Sequence, residues 1–131
     1  MAEFTLIGRA RPRVDAAGKV TGTTRYADDL ALPGQLWCKL VRSPVPHARI
    51  VRIDPAAALA LQGVAAVLTG ADLRTTYGIL PVSQDEQALC ADKVRYVGDP
   101  VAAVAAVDEA TAERAAALIA VEYDPLPAVF S

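Results

Sequence analysis

The sequence has few of the residues from which metal sites and most catalytic sites are built. Its 131 residues include one histidine and two cysteines, and the cysteines, Cys38 and Cys90, stand far apart. Zinc sites need three or four ligands, and iron–sulfur clusters normally use grouped cysteines. The sequence therefore predicts no metal site within this chain.

Strong charge and long apolar runs are also missing. Fifteen acidic and thirteen basic residues leave a net charge of −2, which gives no reason to expect a nucleic-acid partner. No apolar stretch reaches the roughly 18 residues that span a bilayer. The first eight residues lack the basic head and apolar centre of a secretory signal. We therefore expect no membrane partner.

Neither cysteine requires a disulfide partner. A domain of this size can bury most of its apolar surface without a covalent cross-link, so two free thiols in a reducing compartment are expected. The cytoplasm is the predicted location. Cys38 falls among apolar residues at 36–41 and is expected to pack as a small hydrophobic side chain.

The clearest structural signal is the apolar run at residues 101–107. A run of this length without polar breaks is typical of a strand buried on both faces. A charged strand at 93–96 and a tight turn at 98–100 precede it. Asp108 follows the run and is expected to cap the next helix.

The other elements alternate in a regular order. Strands are predicted at residues 36–42, 48–53, 64–69 and 121–123, and helices at 55–62 and from Asp108, the second with an apolar stripe at Ala112, Ala115, Ala116 and Ile119. Residues 71–92 form a long loop. The order β-β-α-β, given twice, predicts an α+β fold in which two helices cover one face of a mixed sheet. A ferredoxin-like fold, as in a free-standing binding module, is the alternative.

Three polar residues have the side chains of a catalytic triad, but their spacing argues against one. Ser43, His47 and Asp54 follow one another, but Pro44 and Pro46 stiffen the connection and no glycine elbow presents the serine. His47 is therefore interpreted as a turn or interface residue.

Other candidate sites are equally weak. Residues 19–24 carry a lysine, a glycine and hydroxyls in the wrong order for a phosphate loop. Asp28 and Asp29 are expected to shape a turn rather than hold a cation. Asp85 and Glu86 lie in a polar loop that would not raise a carboxyl pKa for acid–base work. We therefore predict no catalytic, cofactor-binding or metal residue in this chain, and no turnover by the chain alone.

Four segments in order resemble one family. They are residues 8–29, 42–54, 93–104 (with Tyr96-Val-Gly-Asp-Pro100) and 121–129. Together they are similar to the N-terminal α/β-hammerhead domain of the molybdenum-binding large subunit in the xanthine dehydrogenase/aldehyde oxidase family. The basic stretch at residues 1–27, with glycines and little periodicity, predicts an extended N-terminal arm. The resemblance implies the hammerhead domain at residues 28–131.

The loop at residues 76–90 and the segment that follows it resemble one branch of that family, the α subunit of 4-hydroxybenzoyl-CoA reductase. Enzymes of this branch reductively remove a ring hydroxyl from an aromatic CoA thioester, giving benzoyl-CoA in anaerobic aromatic degradation. Other members oxidise aldehydes, purines, N-heterocycles or CO, and such a member is the alternative.

The resemblance also implies cofactors and partners outside this chain. A molybdenum-bearing molybdopterin cytosine dinucleotide is expected in the rest of the large subunit. 2Fe-2S or 4Fe-4S clusters and FAD are expected in an iron–sulfur subunit and an FAD subunit. The family's pterin loops and catalytic glutamate lie in other domains, so this domain is expected to be a scaffold that packs on the molybdenum-binding domains.

A scaffold domain should present contact surfaces. The candidates are the basic arm with Arg9, Arg11, Arg13 and Lys19, the turn at residues 43–49 with His47, and the loop at residues 77–89 with Tyr77, Ile79 and Leu80. Ordinary surface loops are the alternative interpretation.

Overall fold

The computed structural model describes residues 5–130, which fall into two compact units divided between residues 33 and 34. The first unit contains a short helix, α1 (Ala16–Val20), and a 3-10 turn (Ala27–Asp29), neither of which has a buried residue. Helical turns therefore interrupt the segment for which an extended arm was expected. The predicted boundary between residues 27 and 28 stays a prediction.

The second unit contains all the strands that the structure describes. Its two helices are α2 (Ala56–Leu59) and α3 (Glu109–Leu118). Its strands are β1 (Trp37–Arg42), β2 (Ala48–Asp54), β3 (Val64–Thr69), β4 (Thr76–Tyr77), β5 (Glu86–Gln87), β6 (Lys93–Val94), β7 (Pro100–Ala106) and β8 (Ala120–Pro125). No helix within residues 5–130 is long and apolar enough to cross a bilayer.

The strands form two three-stranded sheets and one two-stranded ladder. The first sheet has the order β1-β7-β3 and the second the order β6-β2-β8, and every described pairing is antiparallel. The α+β class is confirmed, but the expected single mixed sheet is wrong. Pro44 and Pro46 cannot continue a ladder, so the chain leaves the first sheet after β1 and enters the second at β2.

The pairing of β7 decides between the two folds considered. A ferredoxin-like fold requires β2 to pair with the strand at 101–107. Instead β7 lies between β1 and β3, and β2 lies between β6 and β8. The ferredoxin-like alternative is therefore wrong.

Both helices pack on one face of the first sheet. Ala58 of α2 and Ala115 of α3 are buried with Ala102 and Val104 of β7. The predicted stripe of α3 faces this core, since Ala112 and Ile119 are also buried. The Asp108 side chain accepts a hydrogen bond of 2.7 Å from the Thr111 amide, which confirms the predicted cap.

A second, smaller core joins the two sheets. It is formed by Ala48, Cys90, Val94 and Val101. Some boundaries differ from prediction around it. The strand expected at 93–96 ends at Val94, because the next amide, on Arg95, donates to the Asp99 side chain instead of a ladder.

Candidate interaction surfaces

The turn at Gly98 and Asp99 links the ends of three strands. The Ser43 amide donates to the Asp99 carbonyl (2.9 Å), and the Gly98 amide donates to the Ser43 carbonyl (2.8 Å). The Asp99 carboxylate accepts from the Arg95 amide at 2.8 Å. Gly98 has φ +96°, in the left-handed region that favours glycine. Ser43 and Asp99 are buried by these contacts, so this cluster is structural.

Cys90 lies beside the same turn and is chemically quiet. Burial, together with a hydrogen bond to Asp99, raises the pKa of its thiol to about 12. The thiol is therefore protonated at neutral pH, and a protonated thiol is neither a nucleophile nor a metal ligand.

The residues of the considered triad have separate partners. His47 Nδ1 is 2.7 Å from the Pro127 carbonyl oxygen. Ser43 Oγ donates to the Val45 carbonyl (2.8 Å), whereas Asp54 accepts from Arg52 at 2.6 Å. Asp54 also lies at the other end of β2 from His47. The structure does not bring the three together.

The other polar candidates serve local structure. Lys19 Nζ lies 2.6 Å from the Asp15 carboxylate. The Asp29 carboxylate accepts from the Tyr26 amide at 2.8 Å, which shapes a turn as expected. A hydrogen bond from the Ser83 hydroxyl lowers the pKa of Asp85, so this carboxyl is ionised at neutral pH and is no proton donor. Within residues 5–130, no three His, Cys, Asp or Glu side chains are grouped as a metal site requires.

The predicted contact loop at residues 77–89 exposes several large apolar side chains. Its first part is a hairpin made by β4, β5 and a bridge between Leu80 and Ser83. At the tip, Ile79 is 89% exposed and Val82 is 92% exposed. The other end of the loop is not a surface, since Leu89 is buried. The hairpin tip is therefore the exposed apolar part of this loop.

The turn at residues 43–49 is less open than expected, whereas the four basic residues of the arm are exposed and make contacts within the first unit. In the turn at residues 43–49, Ser43 and Ala48 are buried and His47 is half-buried, because backbone hydrogen bonds tie the turn to the Gly98 region and to residues near the C-terminal end of the chain. In the arm, Arg11 donates to the Thr5 carbonyl, and Arg13 and Lys19 both pair with Asp15.

Two surface features were not predicted from the sequence. A groove of about 430 Å³ is lined by His47, Tyr96, Val97 and Phe130, among others. Cys38 is exposed, so the expectation that it packs as a hydrophobic residue is wrong. It lies on the side of β1 that faces away from the helices, as its pairing with Ala105 shows. The uninterrupted apolar run of β7 was the available signal that the side of this sheet opposite the helices is apolar.

Comparisons with known proteins identify the fold. The sequence profile of the family described as "Aldehyde oxidase and xanthine dehydrogenase, a/b hammerhead domain" matches residues 21–127. One subunit of a probable xanthine dehydrogenase from Bacillus subtilis (strain 168) is 48% identical over 119 residues, which are 89% of this chain and 16% of that protein. The "Nicotinate dehydrogenase large molybdopterin subunit" of Eubacterium barkeri is 37% identical over 131 residues, 98% of this chain and 30% of that one.

A solved structure shares the architecture. The reconstituted CO dehydrogenase from Oligotropha carboxidovorans superposes with a TM-score of 0.88 at 39% identity, over 95% of this chain and 16% of that one. The hammerhead fold is therefore confirmed. This chain spans 16% and 30% of the length of the two curated relatives, so it corresponds to one part of each of those proteins.

Proposed function

The chain belongs to the aldehyde oxidase and xanthine dehydrogenase family, as its a/b hammerhead domain, and on that basis we propose that it is a structural domain of a molybdenum-dependent oxidoreductase. Its place is the N-terminal part of the large, molybdopterin-binding subunit. The observation that carries the proposal is the superposition on CO dehydrogenase, which takes in 95% of this chain but only 16% of that one. The domain is one module of a much larger catalytic chain.

The donor groups of this chain do not fit a molybdenum or iron–sulfur centre. The described residues offer no group of three metal-ligating side chains, and the Cys90 thiol is held protonated. No step of the reaction is therefore assigned to a residue of this chain. The domain's contribution is to pack against the domains that bind the cofactor.

Metal analysis tests whether the metal is bound outside this domain. The purified 131-residue chain should contain neither molybdenum nor iron and should show no turnover. The full-length subunit, purified with its partner subunits, should contain stoichiometric molybdenum. Stoichiometric molybdenum or iron on the 131-residue chain would overturn the proposal, and so would a full-length complex without molybdenum.

For the substrate, we propose 4-hydroxybenzoyl-CoA, which the complex would reduce to benzoyl-CoA. The support is the resemblance of residues 76–90 to the α subunit of 4-hydroxybenzoyl-CoA reductase. The named relatives act on other molecules, among them xanthine, nicotinate and CO. Oxidation of an aldehyde, a purine, an N-heterocycle or CO by another member of the family therefore has equal support.

A direct assay separates these substrates. The full-length complex is supplied with a low-potential electron donor and 4-hydroxybenzoyl-CoA, and benzoyl-CoA is measured. In parallel, xanthine, nicotinate and CO are offered with an electron acceptor. Turnover of one of these three, without benzoyl-CoA formation, would replace the substrate proposal and leave the structural role intact.

The proposed assembly includes an iron–sulfur subunit and an FAD subunit in the cytoplasm. Electrons passing between molybdenum and an external carrier need a chain of redox groups, and residues 5–130 offer no group of ligands for one. Co-purification of a tagged full-length subunit, followed by iron and flavin analysis, tests both partners.

A further inference from the structure

The two faces of β7 are covered to different extents. Side chains alternate along a strand, so Ala102 and Val104 point to the helices, where they are buried. Val101, Ala103 and Ala105 point to the opposite face. Val101 is buried against the second sheet, but Ala103 and Ala105 are only half-buried. The second sheet therefore covers one end of this face and leaves the other end open.

The strand register identifies the neighbours of these two alanines. Directly paired residues lie on the same face of a sheet. Cys38 and Leu40 of β1 pair with Ala105 and Ala103, and on the other side Ala66 and Leu68 of β3 pair with the same two residues. We call these six residues the open sheet face: Cys38, Leu40, Ala66, Leu68, Ala103 and Ala105.

The open sheet face has the shape and chemistry of a surface meant to be covered. None of its six side chains is charged. Leu40 is 41% exposed and Leu68 is 42% exposed, and they stand on the two edge strands, with small alanines on the central strand between them. The result is a shallow apolar trough.

The outer side of the second sheet shows how this protein builds a face that meets water. There Arg49 pairs with Asp124 and Arg52 pairs with Glu122, so oppositely charged side chains lie across from each other. An antiparallel sheet with one solvated face normally has such polar positions, whereas an unbroken apolar strand belongs where both faces are covered. The central strand of the first sheet, β7, is such an unbroken apolar strand. The described residues nevertheless leave its face opposite the helices partly uncovered.

We propose that the open sheet face is the docking surface for an apolar segment of the same large subunit, located outside this domain. This assignment rests on the proposed function. The relative from Bacillus subtilis carries most of its chain outside the matched region, which is 16% of its length. A segment on the same chain has a high effective concentration, and an uncharged apolar contact is characteristic of permanent rather than transient interfaces.

Cys38 provides a direct reporter of this contact. It is an exposed free thiol on the open sheet face, whereas Cys90 is buried with a thiol pKa of about 12 and serves as the internal control. The experiment labels native protein with a maleimide and follows the peptides that contain each cysteine by mass spectrometry. It compares the 131-residue chain with the full-length subunit.

Cys38 should be labelled readily in the 131-residue chain. In the full-length subunit its labelling rate should be lower by about tenfold or more, since a covered face is accessible only when the contact opens. Cys90 should stay unlabelled in both. Equal labelling of Cys38 in both proteins would overturn the proposal. Protection of Cys38 already present in the 131-residue chain would also overturn the proposal. Protection that depends on protein concentration would show that a second copy covers the face. Protection that does not depend on concentration would show that residues 1–33 cover it.

A pair of variants provides a second measurement. Leu40→Ser with Leu68→Ser should lower the thermal midpoint of the 131-residue chain modestly, because these side chains are 41% and 42% exposed there. In the full-length subunit the pair should lower the midpoint by more and restore Cys38 labelling. Val51→Ser, at an exposed strand residue of the second sheet, is the control and should have the same small effect in both proteins. Equal destabilisation in both proteins, or none in either, would contradict the proposal.

The two proposals fail in different ways. A full-length subunit that protects Cys38 but contains no molybdenum would refute the proposed function and leave the docking surface standing. A molybdenum-containing subunit in which Cys38 is freely labelled would refute only the docking surface.

Discussion

At the scale of single residues, Tyr123 is the least satisfied polar group that the structure describes. Its hydroxyl is buried and makes no hydrogen bond of full geometry, although the Ser43 side chain lies near enough to offset part of the rise in its pKa that burial causes. An unpaired buried hydroxyl costs free energy, whereas phenylalanine fills the same space without it. Tyr123→Phe should therefore raise the free energy of unfolding by about 1 kcal/mol. Chemical denaturation of the 131-residue chain measures this change.

The matched control for this variant is Tyr77→Phe, whose hydroxyl is on an exposed residue and whose effect should be within about 0.5 kcal/mol. A pH series adds a second readout. Burial raises the pKa of Tyr123 above its ordinary 10.0, so the unfolded chain releases this proton first and stability falls as pH rises through about 10. The Phe variant should lose less stability there. A destabilised Tyr123→Phe would mean that the interaction of the hydroxyl with Ser43 is a stabilising hydrogen bond.

The capping carboxylate of α3 gives a prediction at the acid end of the pH range. Hydrogen bonds from Thr111 lower the pKa of Asp108 below its ordinary 3.8. Folding therefore favours the ionised form of Asp108. Its contribution to the free energy of unfolding is complete above about pH 4 and is lost as the pH falls through the lowered pKa of the folded state. Asp108→Ala should lower the thermal midpoint by about 4 °C at neutral pH.

Asp108→Asn separates charge from capping in the same experiment. Asparagine can still accept from the Thr111 amide, so its midpoint at pH 7 should lie between those of the wild type and the Ala variant. Below about pH 4 the wild type should approach the Asn variant, because its own carboxylate becomes protonated. An unchanged gap across the acid range would show that the charge of Asp108 does not contribute.

At the scale of secondary-structure elements, the hairpin of β4 and β5 depends on one glycine. A Cβ on Gly78 would collide with the Ser83 carbonyl oxygen, which is backbone and cannot move away without opening the hairpin. Gly78→Ala should therefore increase amide hydrogen exchange at residues 76–87. The global thermal midpoint should change little, since both buried clusters lie outside β4 and β5. Ile79→Ala, at the exposed tip, is the control and should leave exchange unchanged. Equal exchange in both variants would show that the hairpin does not need this glycine.

The elements also show which sequence signals were sufficient. The strand at residues 64–69 was predicted with its observed bounds, and the cap and apolar stripe of α3 were predicted residue by residue. These are local features, in which side-chain period and a capping residue act within a few positions. The hairpin inside the loop at 71–92 was not predicted, because its strands are only two residues long and have no periodicity to read.

The way the sheets are divided was beyond the reach of local signals. The alternation along β2 predicted a strand but not its partners, and a mixed sheet fitted the element order as well as two antiparallel sheets do. The exposure of side chains was also beyond the reach of local signals. Cys38 was assigned to a core because its neighbours are apolar, but the register places it on the open sheet face. Position along a strand does not say what covers that strand.

At the scale of the whole molecule, the distribution of buried residues assigns the folding core to residues 34–130. Every residue of the two described core clusters lies there, between Ala48 and Ile119. In the described part of the first unit no residue is buried, and its large apolar side chains, such as Val14 and Val20, are exposed. A segment with no buried side chains contributes little burial free energy to folding.

A chain beginning at residue 34 should therefore fold like the parent chain. Its far-UV circular dichroism should keep the sheet and helix signal of the second unit, and its unfolding should stay cooperative with a thermal midpoint within a few degrees of the parent. A chain beginning at residue 28, the boundary predicted from the sequence, is the matched comparison and should behave in the same way. The control is a chain that lacks residues 120–131 and so loses β8, which provides most of the pairing of β2. This chain should not fold cooperatively. If removal of residues 1–33 abolishes cooperative unfolding, the first unit is part of the folding core, and the assignment of the core to residues 34–130 is wrong.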